Sequence, residues 1–481
     1  MCGIVGYISK KDNPNALHLG IEALKRLEYR GYDSAGFAFW DKTKKEIQHR
    51  KTIGRISKLE EKIKDDVFSS ANPLILHTRW ATHGGITENN AHPHFDCKKN
   101  IFLVHNGIIE NYKELKDQLI KEGHKFSSET DTEVLPHLIE KFFKGSLEDA
   151  VKKALTFIRG TYGIAVISRE DPNKIVAARL SSPLLIGLGD DEFILASDPS
   201  AIIAYTKTVV YLRDNEMVTI TSEKIDIQEL EKRKEQIDWD IAAAQRGGYP
   251  HFMLKEIMEQ PESIKNSMRG RVLPEEGGAR IGGLNEVLEK LREIERIQIV
   301  ACGTARHAGI VGEYMLEEYA GILTKVDAAS EFRYRKSILD KKTAVLAISQ
   351  SGETADTLAA LKEAKSRGIL TLGITNVTGS TQARETDAGA YNHAGPEIGV
   401  ASTKAYTSQL TVLALFALLL GRQRQLSLVM GQRIAKELLR IPELVGEVLK
   451  NNEQIKELAE KYKDFNNYLY LGRKYNYATA R

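Results

Sequence analysis

Apolar residues follow two different patterns in the two halves of the chain. Up to about residue 227, short apolar runs alternate with segments that repeat apolar residues at helical spacing. The runs that predict strands are 2–8, 74–77, 101–105 and 163–167, and the segments that predict helices are 16–27 and 132–143. This mixture favours an α+β domain, a sandwich of sheets covered by helices.

The second half alternates strands with helices. The runs 297–301, 344–348 and 369–374 each have the length and apolarity of a buried strand. Polar turn residues follow the first two runs, and a helical segment comes next. Regular alternation of this kind predicts an α/β unit with a doubly wound parallel sheet.

Changes in composition mark the expected domain boundaries. The first domain is expected at 2–227, a charged linker or hinge at 228–250, and the α/β unit at 251–460. Residues 461–481 contain a Tyr-Leu-Tyr-Leu-Gly run similar to the strand that ends at Gly303, so we expect them to open a second copy of this unit. The chain stops before that copy is complete, and we therefore expect a C-terminally truncated piece of a longer protein.

Composition excludes several partners. The 481 residues are 42% hydrophobic, and the net charge of +3 comes from interleaved basic and acidic residues. A nucleic-acid binder would gather its basic residues on one face, so no nucleic acid is expected. The longest apolar run, 410–420, is shorter than the ~20 residues that span a bilayer, and no signal peptide is visible. We expect a soluble, cytoplasmic protein with no membrane partner.

Cysteine usage indicates a reducing compartment. Cys2, Cys97 and Cys302 lie far apart and form no CxxC pair, which argues against structural zinc. Cys97 is assigned no role, because the neighbouring His94 and Asp96 lack metal-ligand spacing. Packing or surface positions are expected for three further histidines, His18, His49 and His124. No metal is therefore expected.

Cys2 is the first chemical signal. Cysteine is small enough for Met1 to be removed, which would leave the Cys2 thiol beside a free α-amine. An α-amine has a pKa of about 8, so it is a usable base near neutrality. A nucleophile with a built-in base is a known catalytic arrangement.

Five further segments accompany Cys2. They are 27–36 (LEYRGYDSAG), 77–84 (HTRWATHG), 90–94 (NAHPH), 104–111 (VHNGIIEN) and 128–133 (SETDTE). Together with the opening MCGIVG, they resemble the glutaminase domain of the N-terminal-nucleophile amidotransferases. The resemblance covers essentially the whole first domain.

Chemistry and resemblance together suggest roles for these residues. A guanidinium suits the α-carboxylate of glutamine, and a carboxylate suits its α-ammonium, so Arg79 and Asp131 are the candidates. The resemblance assigns the oxyanion donors to the Asn106 side chain and the Gly107 backbone N–H. It also implies glutamine-binding positions at Trp80, Thr82 and His83, on a loop that closes over glutamine, and at His92.

Each of these residues has a simpler structural interpretation. Arg79 would be a solvated loop charge, Asp131 a helix N-cap before Thr132, and Asn106-Gly107 a type I′ turn. The shared context favours the catalytic interpretation.

The α/β unit contains a candidate phosphate cradle. Ser349-Gln350-Ser351-Gly352-Glu353-Thr354 lies between a strand and a helix, where hydroxyls and N–H groups bind phosphate. No Lys precedes the last hydroxyl residue, which argues against a nucleotide P-loop. The segment resembles the sugar isomerase module, although any one hydroxyl would also serve as an N-cap. Sugar-phosphate contacts are expected from Cys302, Gly303, Thr304, Ser349, Gln350, Ser351, Thr354, Val400, Ala401 and Ser402.

The order of the two parts implies an activity. A cysteine-nucleophile glutaminase followed by a sugar isomerase module is typical of enzymes that make glucosamine-6-phosphate and glutamate from fructose-6-phosphate and L-glutamine. The resemblance implies no cofactor and a homodimer formed through the isomerase half. The glutamate, histidine and lysine that perform isomerisation in these enzymes would lie beyond Arg481, so the chain is expected to keep only glutaminase chemistry. The alternatives are an amidotransferase with another acceptor and a non-catalytic sugar-phosphate sensor.

Overall fold

The computed structural model describes residues 2–68, 71–81, 83–237 and 246–481. The chain divides into two compact units, Met1–Ile241 and Ala242–Arg481. The candidate Thr82 lies outside the described residues, as do residues 238–245 of the expected linker. The boundaries expected from composition stay predictions.

The first unit is built on two antiparallel sheets. Its strands are β1 (Gly3–Ser9), β2 (Ser34–Asp41), β3 (Glu46–Ile53), β4 (Leu74–Arg79), β5 (His94–Phe95), β6 (Ile101–Ile109), β7 (Gly160–Ser168), β8 (Lys174–Leu180), β9 (Leu185–Leu188), β10 (Glu192–Ala196), β11 (Thr208–Tyr211), β12 (Glu216–Thr221) and β13 (Glu235–Gln236). One sheet has the order β13-β11-β9-β10-β1-β4-β2-β3, and the other has the order β12-β8-β7-β6-β5.

Helices cover the outer faces of both sheets. They are α1 (Ala16–Lys25), α2 (Ile56–Lys62), α3 (Tyr112–Lys121), α4 (Val134–Phe142) and α5 (Leu147–Leu155). Strand alternation explains the layers, because successive side chains point to opposite faces. In β6, Phe102 and Val104 enter the core between the sheets, whereas Ile101 and Leu103 pack under α3, α4 and α5. The α+β sandwich predicted from the sequence is confirmed.

The second unit contains the predicted parallel sheet. Its elements are α6 (Phe252–Met258), α7 (Gln260–Met268), β14 (Val272–Leu273), β15 (Gly278–Ala279), α8 (Leu288–Glu293), β16 (Arg296–Ala301), α9 (Gly303–Met315), β17 (Leu323–Ala328), α10 (Ala329–Tyr334), β18 (Thr343–Ser349), α11 (Ala355–Ser366), β19 (Leu370–Thr375), α12 (Thr381–Glu385), β20 (Ala388–Tyr391), α13 (Lys404–Arg422), α14 (Leu428–Leu449), α15 (Asn452–Tyr462) and α16 (Tyr475–Ala480). The sheet order is β17-β16-β18-β19-β20, and every pair is parallel.

The strand order creates a crevice at one edge of this sheet. The chain passes from β16 outward to β17 on one side and then returns to β18 on the other. Neighbouring crossovers that leave in opposite directions open a cleft at the carboxyl ends of the strands. Cys302 follows β16 and Ser349 ends β18, so both lie at this switch point.

The apolar run 410–420 lies in α13, which is the one described helix long and apolar enough to cross a membrane. Its apolar window is 72% buried inside the folded chain. Val412, Leu413 and Phe416 belong to the core that also holds one face of the parallel sheet. Burial of this kind agrees with the core helix predicted from the sequence. The cytoplasmic location stays a prediction.

Two segments differ from the sequence patterns. Part of the charged stretch belongs to the first unit, because β13 pairs with β11 and Ile237 is buried in that unit's core. Residues 468–471 form no strand: no described strand pairs with them, and Leu469 and Leu471 are exposed. An isolated apolar run has no ladder partner for its backbone groups, so it does not become a strand on its own.

Candidate active site

The first site forms where three strands of the first unit converge. Cys2 directly precedes β1, and Arg79 ends the neighbouring β4, where Gly3 pairs with Thr78. Asn106 and Gly107 lie inside β6 of the facing sheet. Sandwich packing therefore brings together residues that are up to 105 positions apart.

The Cys2 side chain and backbone have separate partners. The Trp80 backbone N–H donates to Cys2 Sγ at 3.3 Å. The Cys2 carbonyl oxygen accepts from Asn106 Nδ2 at 3.0 Å and from Arg30 Nε at 3.1 Å. Burial raises the pKa of the Cys2 thiol, and the Trp80 N–H and the positive charges of Arg79 and Arg30 oppose this rise. The thiol is therefore held in place but stays protonated near neutral pH.

The hydrogen-bond network determines the orientation of the Asn106 amide. His77 Nε2 lies 3.1 Å from both the His105 carbonyl oxygen and Asn106 Oδ1. Two acceptors at one ring nitrogen require it to carry the proton, so Oδ1 is the accepting atom of Asn106. Burial lowers the pKa of His77 to about 3 and keeps it neutral. The Asn106 NH₂ group consequently points at Cys2.

Gly107 occupies a position that only glycine tolerates. Its φ is +139°, and an added Cβ would overlap the carbonyl oxygen of Thr161 on β7. Asn106-Gly107 is not a hairpin turn, since β6 continues through both residues.

Arg79 is a buried guanidinium rather than a solvated loop charge. It is 4% exposed and donates to the carbonyl oxygens of His83 and Gly85. Among the described residues it forms no ion pair within 4.0 Å. Burial lowers the pKa of Arg79, and electrostatic interactions with Cys2 and Asp131 oppose that change.

Asp131 is buried and does not cap a helix. Its Oδ2 accepts from the Ile109 backbone N–H at 2.7 Å, which joins its loop to the end of β6. The next helix, α4, has Glu133 at its N-cap position. A second link joins Thr132 Oγ1 to His105 Nδ1 at 2.9 Å.

The remaining glutamine-site candidates lie around this centre. Trp80 is 37% exposed and packs edge-on against Tyr32, and His83 packs edge-on against Tyr112. His92 is buried, stacks on His77 at 3.9 Å between ring centroids, and accepts from the His105 N–H through Nδ1. It therefore contacts the histidine that orients Asn106.

Sequence reasoning missed three supporting residues. Arg30 bridges Cys2 to Asp198, to which it is ion-paired at 3.0 Å. Asp33 accepts from the Ala81 N–H at 2.8 Å and holds the chain after Arg79. His77 orients Asn106. All three occur in the segments that carried the resemblance, but burial of charged and imidazole groups is a tertiary property and gives no local signal.

The second candidate site is the loop between β18 and α11. Ser349 Oγ accepts from the Gly352 N–H at 3.1 Å and lies 3.0 Å from Thr354 Oγ1. Ser351 Oγ accepts from the Glu353 N–H at 3.1 Å. Gly352 has a φ of +67°, and an added Cβ would overlap the Ser380 hydroxyl. These contacts curl the loop at the N-terminus of α11, where phosphate-binding loops lie.

The other sugar-phosphate candidates flank this crevice or lie on a neighbouring loop. Cys302 precedes α9 and faces Thr357 at 3.9 Å between Sγ and Oγ1. Gly303 and Thr304 begin α9, and Gly303 has a φ of +51°. Val400 and Ala401 are exposed on the loop before α13. Ser402 Oγ donates to Glu397 at 3.0 Å.

Glu256 and Glu397 hold the loop before α13 in place. The sequence did not predict either interaction. Glu256 is buried and accepts from the N–H groups of Ile398 and Gly399. Glu397 accepts from the N–H groups of Thr403 and Ala405 at the start of α13. The loop is therefore fixed from both ends.

Comparisons with known proteins match a family to each of the two units. Residues 77–204 match a family described as a glutamine amidotransferase domain, and residues 290–419 match the SIS domain family. A glutamine–fructose-6-phosphate aminotransferase (isomerizing) of Chlorobaculum tepidum is 49% identical over 491 residues, which cover 100% of this chain and 79% of the relative. The enzyme of the same name from Thermus thermophilus is 47% identical over 486 residues, with the same coverage.

A solved structure extends the comparison. The C-terminal domain of glucosamine-fructose-6-phosphate aminotransferase from Francisella tularensis is 37% identical, covers 49% of this chain and 66% of that chain, and has a TM-score of 0.47. The similarity to the relatives from Chlorobaculum and Thermus, which extends along the whole of this chain, shows the family. The chain belongs to the glutamine–fructose-6-phosphate aminotransferases (isomerizing).

Proposed function

We propose that the chain releases ammonia from L-glutamine at Cys2 and serves the amination and isomerisation of fructose-6-phosphate to glucosamine-6-phosphate. The observation that carries the proposal is the convergence of a half-buried thiol, an oriented Asn106 amide and the buried charges of Arg79 and Asp131. Family membership supplies the acceptor sugar.

Glutamine binding is assigned to two opposite charges. Arg79 offers a buried guanidinium whose partners in the described residues are backbone carbonyls, so a carboxylate is the ligand that would neutralise it. Asp131 offers a carboxylate for the α-ammonium. Trp80, Thr82, His83 and His92 are proposed to complete the pocket. Together these groups hold glutamine by its amino-acid end and present its side-chain amide to Cys2.

The reaction begins with activation of the thiol. Because burial raises the pKa of Cys2, a base must take its proton. Removal of Met1 would provide that base as the Cys2 α-amine. The sulfur then bonds to the amide carbon of glutamine, and the C–N bond breaks as nitrogen takes the proton and leaves as ammonia. Water cleaves the resulting thioester, which regenerates the thiol and releases glutamate.

Charge develops on the amide oxygen during this attack. The Asn106 NH₂ group is oriented by His77, so it can donate to an oxyanion without reorganisation at the moment of reaction. The Gly107 N–H is proposed as the second donor. The Cβ overlap at position 107 explains why glycine is needed there.

The parallel-sheet unit is proposed to bind the sugar phosphate. The hydroxyls of Ser349, Ser351 and Thr354 lie at the N-terminus of α11, where the helix dipole favours an anion. Gln350, Cys302, Gly303, Thr304, Val400, Ala401 and Ser402 are proposed to contact the same ligand. Ammonia would add to the C2 carbonyl of the bound ketose, and loss of water would give the imine. Transfer of a proton from C1 to C2 would then give the amino sugar, with the new carbonyl at C1. No cofactor is needed, because glutamine supplies the nitrogen.

Two measurements on one preparation test this proposal. Fructose-6-phosphate is expected to raise the melting temperature while ATP leaves it unchanged, because a ligand that binds only the folded state stabilises that state. Glutamate release is expected with glutamine, and glucosamine-6-phosphate is assayed beside it to check the prediction that the 481-residue chain performs only the first reaction. A rise in melting temperature with ATP but not with fructose-6-phosphate would exclude the proposed acceptor. Full-rate glutamate release from protein that retains Met1 would exclude the α-amine as base.

We further propose that two copies pair through the parallel-sheet unit. In the described structure, α14 presents apolar side chains to solvent, including Val429, Leu439, Leu444 and Val448. An apolar face of this extent is typical of an interaction surface. Light scattering after size-exclusion chromatography is expected to give twice the chain mass, and a monomer at micromolar concentration would refute the pairing.

A further inference from the structure

A second cluster of reactive side chains lies on the outer face of the first unit. Cys97 follows β5, His124 follows α3, and His137 and Glu140 project from one face of α4 at a spacing of three residues. Cys97 is exposed, His124 and Glu140 are half-buried, and His137 is buried. None of these residues has a role in the proposed glutamine chemistry.

The ligand atoms of the cluster lie close to one another. Cys97 Sγ lies 3.6 Å from His124 Nδ1 and 3.5 Å from His137 Nδ1. The two Nδ1 atoms are 3.3 Å apart. Glu140 Oε2 lies 3.1 Å from His124 Nδ1 and 3.7 Å from His137 Nδ1. All four ligand atoms are within 4.8 Å of one another.

Three of these distances match the edges of a tetrahedron around zinc, and the two from Glu140 Oε2 lie on either side of the expected edge. An ion with bonds of about 2.05 Å to nitrogen or oxygen and about 2.3 Å to sulfur separates two nitrogens by about 3.3 Å and a nitrogen from the sulfur by about 3.6 Å. The three N–N and N–S distances match these values within 0.1 Å. A thiolate, two imidazoles and a carboxylate are also ligand types that zinc accepts.

The surroundings of the cluster support a metal centre. The Lys125 N–H donates to Cys97 Sγ at 3.4 Å, which stabilises a thiolate. The other ring nitrogen of His137, Nε2, has no hydrogen bond and faces Glu133 Oε1 at 3.8 Å. A carboxylate behind a ligating histidine is the usual outer partner of a zinc ligand.

We propose that Cys97, His124, His137 and Glu140 bind one Zn²⁺ ion with a structural role. Four protein ligands complete the tetrahedron, so no position is left for a reacting water. Binding replaces the thiol proton of Cys97 with the metal bond and releases that proton to solvent. The ion joins the loop after β5, the end of α3 and helix α4.

The site is adjacent to the loop that carries Asp131. Glu133, which faces His137, accepts hydrogen bonds from the N–H and hydroxyl groups of both Ser127 and Ser128. Zinc would therefore fix the start of α4 and the segment leading to Asp131. Local sequence gives no hint of this site, because Cys97 and His124 are separated by 26 residues and only His137 and Glu140 share an element.

Metal content and cobalt spectroscopy test the site directly. Protein purified without chelator is expected to carry one zinc per chain by elemental analysis. After chelation, Co²⁺ is expected to give the strong visible bands of a tetrahedral site and a thiolate-to-cobalt charge-transfer band. Zinc is expected to raise the melting temperature of the metal-free protein by several degrees.

Substitutions assign the ligands. Cys97→Ser and His124→Ala, at positions that are exposed and half-buried, are expected to lose the charge-transfer band and to weaken zinc binding at least about 100-fold. Cys2→Ala, Cys302→Ser and His18→Ala are matched controls that keep the band and the stoichiometry. An unchanged zinc affinity in Cys97→Ser, or loss of the cobalt band in Cys2→Ala instead, would overturn the assignment. Wild-type protein that binds neither metal would do the same.

Discussion

The two proposed reaction sites are built in opposite ways. The glutamine site gathers Cys2, Arg79 and Asn106 from three strands in two facing sheets. The phosphate loop is one continuous strand–loop–helix segment whose hydroxyls accept from backbone N–H groups two and three residues away and contact one another five residues apart. The first site depends on sandwich packing, whereas the second depends on local chain geometry at a sheet edge. Substitutions should therefore separate the two sites cleanly, and the following variants test that separation.

The largest effect is expected from Cys2→Ala. Loss of the nucleophile should lower glutamate release at least about 1,000-fold, because no other group forms the thioester. The fructose-6-phosphate thermal shift should be unchanged, since Cys2 belongs to the other unit. Retained glutamate release would remove the nucleophile assignment.

Asn106→Ala should act on the rate rather than on binding. Removing one oxyanion donor lowers kcat by about 100-fold or more, with little change in KM. His77 would keep the His105 carbonyl as an acceptor, so the fold should persist. Steady-state kinetics with glutamine measure the effect, and Asn89→Ala, an exposed neighbour, is the control. A rise in KM at constant kcat would assign Asn106 to substrate binding instead.

Arg79→Lys should weaken glutamine binding. A lysine keeps the charge but cannot form the bidentate pair with a carboxylate, so kcat/KM should fall by about 100-fold, mostly through KM. Arg159→Lys, an exposed position in the same unit, should have no effect. Equal loss in kcat and kcat/KM would contradict a ground-state role for Arg79.

Glu259→Gln should destabilise the second unit near the sugar-phosphate loop. Glu259 pairs with Lys404 at 2.7 Å and with Lys255 at 2.9 Å, and both lysine side chains are buried. Replacing the carboxylate that pairs with both lysines by a neutral amide should lower the free energy of unfolding by about 2 kcal/mol at pH 7. Differential scanning calorimetry measures the loss, with Glu262→Gln, an exposed glutamate in the helix α7 that begins directly after Glu259, as control.

The same variant has a predictable pH dependence. Burial raises the pKa of Glu259, but hydrogen bonds and charge from Lys404 and Lys255 outweigh it and hold the pKa below its usual value. A depressed folded-state pKa gives stability that is present above the unfolded value of about 4.3 and is lost as the pH falls through the folded value. The difference in free energy of unfolding between the variant and the wild type should therefore become smaller as the pH falls from 5 toward 3. A stability difference that becomes larger as the pH falls would contradict the depressed pKa of Glu259.

The smallest effect is expected from Ser349→Ala. Ser349 Oγ bonds within the phosphate loop, so its loss should weaken fructose-6-phosphate binding by about tenfold. Glutamate release in the absence of sugar should not change. The exposed Ser366→Ala at the end of α11 is the control. An equal fall in glutamate release would show that the two sites are not separable in the way proposed.

Sequence patterns determined much of this protein. Short apolar runs predicted β1, β4, β6 and the three central strands of the parallel sheet, β16, β18 and β19, because a strand covered on both faces is apolar at nearly every position. The phosphate loop was also visible, since its residues are consecutive. The same reasoning was wrong at 468–471, where a similar apolar run forms no strand and pairs with none of the described strands.

Only the tertiary structure determined the features that require side chains far apart in the sequence to meet in a buried environment. The orientation of Asn106 by His77 and the support of Cys2 by Arg30 come from packing between sheets and from loops that the sequence keeps far apart. So does the cluster of Cys97 with His124 and His137, which the sequence was taken to exclude. Periodicity reports which face of an element is buried, but not which buried side chains meet. The hydrogen bonds and pKa values of these side chains, and the geometry of the proposed metal site, follow from those contacts.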